Sequence, residues 1–77
     1  MVTYAAERFA WLQRQMSCGW RIEAPVIQRA AYFASSGRVC AFEFVLRGDG
    51  GMQVVAVPDC DELRNFLDER ELDTIVL

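Results

Sequence analysis

Cys60 is the residue in this sequence best placed to do chemistry. It opens a predicted helix, and the first turn of a helix lowers a thiol pKa towards the reactive thiolate. Its neighbours Asp59, Asp61 and Glu62 act in the opposite sense, and the chain has no histidine or lysine to accept a proton. The spacing therefore points to a packed cysteine rather than a nucleophile. Cys40 falls between apolar residues, where cysteine behaves as a small hydrophobe, and Cys18 stands at a helix end with no evident task. The three cysteines lie about twenty residues apart with no CxxC pair, which does not suit a tetrahedral zinc site. No metal and no cofactor is implied.

The carboxylates Asp59, Asp61, Glu62, Asp68, Glu69, Glu71 and Asp73 make the last third acidic. General acid–base catalysis needs carboxylates in contrasting environments inside a cleft. Here they crowd one short helix at positions expected to face water, so a solvated surface is the reading and no catalytic residue is assigned. All eight basic residues are arginine: Arg8, Arg14, Arg21, Arg29, Arg38, Arg47, Arg64 and Arg70. They are dispersed, and their exclusive use fits a GC-rich bacterial genome as well as phosphate recognition. A net charge of −3 opposes generic nucleic-acid binding. Gly48-Asp49-Gly50-Gly51 lacks the GxxxxGK[ST] pattern of a phosphate loop and reads as a turn.

The element that would position these groups is the strand Val39 to Arg47. Cys40, Phe42, Phe44 and Leu46 alternate with Val39, Ala41, Glu43, Val45 and Arg47, a period of two with one wholly apolar face. The second face is also unusually apolar. Before it, Thr3 to Cys18 carries Ala5, Phe9, Leu12 and Met16 at helical spacing, with Thr3 as N-cap and Gly19 as terminator. Trp20 and Ile22 are expected to anchor that helix end onto a sheet. Pro25 suits the first residue of a strand over Val26 to Phe33, with Arg29 disturbing its alternation. Ser35-Ser36-Gly37 turns this strand into the central one. Met52 to Val57 is the third strand, and Asp59 with Glu62 resembles an acidic capping box before a helix from Cys60 to about Arg70. Thr74 to Leu77 is a short apolar end.

One domain spanning residues 1–77 follows, of α+β class and α-β-β-β-α order: a two-layer sandwich with a three-stranded antiparallel meander and both helices on one face. The helix–strands–helix order is similar in outline to the double-stranded-RNA-binding fold, which would imply RNA as partner. That family's basic motif at the start of the last helix is replaced here by Asp59-Cys60-Asp61-Glu62, and the opposite charge argues against RNA. The helix, Gly19-Trp20 and the strands after it also resemble small uncharacterised bacterial proteins, a resemblance that implies no function.

With an odd cysteine count, no signal-peptide pattern at the N-terminus and no apolar run of membrane-spanning length, a reduced, cytosolic, soluble protein is expected, without membrane association. A chain of 77 residues is short of core, and a partner subunit is the expected supplement. The functional expectation is a non-catalytic interaction module, a homodimer or accessory subunit. Its predicted interface comprises Val39, Val45, Val55 and Val57 on the outer sheet face, the aromatic pair Tyr4 and Trp11, and the tail Ile75, Val76 and Leu77. A nucleic-acid-associated regulator using Arg21, Arg29, Arg38 and Arg47 is the alternative. A small-molecule binder or enzyme with its site at a dimer cleft is the second.

Overall fold

The computed structural model describes residues 3–77. Helix α1 (Tyr4–Ser17) leads into a hairpin of β1 (Arg21–Phe33) and β2 (Gly37–Gly48), then β3 (Gly51–Pro58), helix α2 (Asp61–Glu69) and a short β4 (Thr74–Val76). The first three strands form the expected antiparallel meander, but the sheet has a fourth member. Its order is β3-β2-β1-β4, with β4 parallel to β1, so the fold is α+β with an open mixed sheet.

Thr3 caps α1, its hydroxyl accepting the Ala6 N–H at 3.1 Å. At the other end Gly19 has φ 98°, the left-handed conformation that glycine adopts without steric cost. The Trp20 N–H reaches the Gln15 carbonyl and the Gly19 N–H that of Met16, the paired bonds of a Schellman motif. Helix α2 stops in the same way, the Leu72 N–H donating to Leu67 and the Glu71 N–H to Asp68. Here the left-handed position is filled by Glu71, at φ 52°.

One apolar cluster holds the layers together. Phe9 and Leu12 of α1 and Leu63, Phe66 and Leu67 of α2 pack on Phe42, Phe44 and Leu46 of β2, so both helices share one sheet face. The Phe9 and Phe66 rings meet edge to face at 5.3 Å between centroids, a favoured aromatic geometry.

Four local expectations are corrected. The first strand begins at Arg21 rather than after Pro25, which sits inside it where the register slips: Glu23 pairs with Val45 and Ile27 with Glu43. Four steps on β1 thus match two on β2. The two extra residues leave the facing unchanged, and the bulge admits a proline that has no N–H to donate. Val55 and Val57 are core residues, not outer-face residues. Residues directly opposite in an antiparallel pair share a face, and they stand opposite Phe44 and Phe42. Cys40 is on the inward row as expected but is exposed. So are Ala30, Tyr32 and Arg38 on that row, towards the tip of the hairpin.

The fourth correction concerns Asp59. The residue before α2 is Cys60, in an extended conformation with no side-chain cap bond. Asp59 instead continues the sheet ladder, its N–H donating to the Cys40 carbonyl at 3.0 Å. Its carboxylate is held by Arg64, Nε donating to Oδ1 at 2.7 Å and Nη2 to Oδ2 at 2.8 Å. A two-pronged, charge-assisted contact outcompetes a single cap bond.

Candidate interaction face

The helices leave much of the other face of the sheet open, although Tyr4 of α1 reaches Phe33 on it near the hairpin tip, and the register determines what it presents. On β3 it carries Met52, Val54 and Ala56, opposite Arg47, Val45 and Glu43 of β2. On β1 it carries Glu23, Ile27, Arg29 and Ala31, and Ile75 of β4 lies beside Ile27. One row across the sheet therefore reads Ala56, Glu43, Ile27, Ile75, and another Val54, Val45, Glu23. Val54 is 63% exposed and Met52 57%. Val39, Glu43 and Val45 are half-buried by their neighbours, and Ala41 and Pro58 are fully covered.

Two of the arginines on this face are matched by carboxylates. Arg29 faces Glu43 at 3.8 Å, and Arg47 donates to Glu23 and also contacts the Met52 sulfur. Glu23 raises the Arg47 pKa further, by hydrogen bond and then by charge. Arg21 shares the face, whereas Arg38, opposite Tyr32, belongs to the inward row. The four arginines of the nucleic-acid reading therefore do not form one free basic track: two hold carboxylates and one lies on the other row.

The remaining predicted interface residues are scattered. Tyr4 is part-exposed and touches the Phe33 ring edge to face at 5.9 Å. Trp11 packs against the core, with the Arg8 guanidinium 4.7 Å above its ring. Arg8 also donates to the Ala56 carbonyl at 3.1 Å, occupying a backbone acceptor of β3, the edge strand on that side. The tail docks on its own domain: the Val26 N–H donates to Asp73 and the Leu77 N–H to Gln28. The side chains of Ile75, Val76 and Leu77 stay exposed, along an edge with no further strand.

Sequence reasoning missed Val54, Met52 and Ile27. The signal was present in the two-residue turn Asp49-Gly50. Pairing Gly48 with Gly51 places Val55 opposite Phe44 and turns Val54 outward.

Chemistry is sparse. Burial pushes the Cys60 thiol up, and Glu62 and Asp59 add to that; the Leu63 backbone N–H acts in the opposite sense without reversing it. Among the described residues no three of Cys, Asp and Glu gather as metal ligands would. No helix there is long and apolar enough to cross a membrane. Comparison with family models, curated proteins and solved structures returned no match.

Proposed function

We propose that this protein is a non-catalytic interaction module that associates with a second copy of itself through the outer sheet face. The observation that carries this reading is the apolar set Ile75 and Ile27 in one row and Val45 and Val54 in the next, on all four strands, with Ile75 and Val54 exposed and Ile27 and Val45 half-buried. Exposed apolar residues rimmed by charged ones on a small domain mark an association site. Arg29 and Arg47 are already paired within the face with Glu43 and Glu23, and only Arg21 at its margin adds an unbalanced charge, so the face has little sign with which to select an oppositely charged partner. That balance suits a self-complementary, two-fold contact.

A standard specific interface takes roughly 800 Å² from each partner, so the contact must reach beyond Val45 and Val54 across the sheet. On the β4 edge Ile75 extends the same surface, whereas Val76 stands beside Gln28 on the opposite row. Sedimentation velocity on the protein and its Val45→Glu variant tests the reading. A dimer that the substitution dissociates is expected. A parent that stays monomeric at high micromolar concentration refutes it, and a stable complex with a different protein in place of the dimer would favour the accessory-subunit form.

A further inference from the structure

The two edges of the sheet differ in how they are protected. At the β3 edge helix α1 packs against the strand, Arg8 occupies the Ala56 carbonyl, and Pro58 has no N–H to offer. Beyond β4 the sheet has no further strand. Thr74 to Leu77 also carries none of the proline or charge with which natural edges are blunted. We infer that β4 pairs antiparallel with the β4 of a second copy, joining two four-stranded sheets into one continuous sheet. This contact is separate from the outer-face contact proposed above and does not rest on it.

The first support is a set of unspent backbone groups. Successive residues of a strand direct their N–H and C=O to opposite sides. The Val26 N–H donates to Asp73 at 2.8 Å and the Leu77 N–H to Gln28 at 2.9 Å, so Asp73, Ile75 and Leu77 serve the β1 ladder. Thr74 and Val76, between them, aim their N–H and C=O away from β1, where among the described residues no strand meets them. Donors and acceptors alternating at strand spacing are matched by another extended backbone.

The second is that the edge is complementary to itself. With a two-fold axis through Ile75, Thr74 meets Val76 of the second copy, and Val76 meets its Thr74. Each such pair exchanges both of its N–H···O bonds, so every outward group finds a partner. Ile75 then meets its own copy on the outer face. The row Ala56, Glu43, Ile27, Ile75 continues without a break into the other sheet.

The third is charge. The chain carries −3, and Asp68, Glu69, Glu71 and Asp73 crowd the segment before β4, where two copies repel. Thr74 to Leu77 has no ionisable side chain, and in this register Asp73 lies opposite Leu77 rather than opposite its own copy. A three-residue strand buries far less than the roughly 800 Å² per partner of a standard interface. The pairing is therefore a weak one that fills at millimolar concentration.

Amide exchange followed by NMR at low micromolar and at millimolar concentration tests the inference. The Thr74 and Val76 amides are expected to slow about tenfold on concentration, as about nine in ten copies pair, while the Ile75 and Leu77 amides, held by β1, change little. Val45→Glu should keep this dependence, since it alters the outer face alone. Val76→Pro removes an outward donor and nothing of the β1 ladder, and should abolish the dependence at Thr74. Ile75→Lys sets like charges across the axis with every backbone group in place, and serves as the test if the proline variant detaches β4. Thr74 and Val76 amides that exchange at one rate at both concentrations would overturn the pairing. So would Val76→Pro and Ile75→Lys variants that behave like the parent, or a loss of the effect in Val45→Glu, which would assign the protection to the outer face.

Discussion

Val54 and Val55 are adjacent in β3 and face opposite ways, so one substitution made at each reads out the facing of the whole sheet. Val55 is 7% exposed and lies opposite Phe44 in the core. Val55→Glu loses the burial of a valine, about 1.5–3 kcal/mol. The new carboxyl must also stay neutral to remain inside. Holding a glutamate neutral at pH 7 against its ordinary pKa of about 4.3 costs about 3.7 kcal/mol at 1.36 kcal/mol per unit. The total, about 5–7 kcal/mol, exceeds the roughly 3–5 kcal/mol that holds a domain of this size together. Val55→Glu should therefore be unfolded at 25 °C. Val54→Glu alters a side chain that is mostly in water, where substitutions fall within about 0.5 kcal/mol, or at most about 4 °C in Tm for a chain of this length. This small change is read in the monomer, at a concentration low enough to dissociate any dimer. Circular dichroism melts of both variants measure the contrast. Two variants with the same Tm, or Val54→Glu as the damaging one, would refute the register.

Three further outcomes follow from particular side chains. Asp59→Ala and Asp59→Asn should lower Tm by the same small amount, since both break the two-pronged Arg64 contact; a cap role would spare the asparagine variant. Glu71→Gly should raise Tm by a few degrees in thermal melts, because the left-handed conformation costs a non-glycine residue about 1–2 kcal/mol, partly offset by the entropy of a freer unfolded chain. In iodoacetamide labelling followed by mass spectrometry, Cys18 and Cys40 should react ahead of Cys60. Burial raises the Cys60 thiol pKa, so less of it is thiolate at any pH below that value. A faster Cys60 would contradict this environment.

Much of the fold was legible because local and tertiary signals agreed. Thr3, Gly19 and the Phe42-Phe44-Leu46 alternation each specify one structure, and each forms it. Met52 to Val57 was misread because both of its faces are apolar, so composition does not choose between them. Only the turn register does. The start of β1 was hidden by Pro25, which periodicity treats as a boundary and a bulge accommodates. Asp59 satisfied a helix-start pattern, but its partner Arg64 lies five residues on and was not visible as a competitor. Strand β4 is three residues long and pairs with β1 across nearly fifty residues of chain, a contact no local pattern encodes. Of the candidate face, Val39 and Val45 were recognised from their period, and the Arg–Glu pairs that balance it were not.

The central claim is that a second copy covers the outer sheet face, and intermolecular contact is its most direct measure. Isotope-filtered NOE spectra of a mixed-labelled sample report only proximities between copies. The account predicts intermolecular contacts from the methyl groups of Ile27, Val45 and Val54, with Ile75 at the margin. A spectrum with no intermolecular contacts at high micromolar concentration, or with contacts confined to Tyr4 and Trp11, would contradict it.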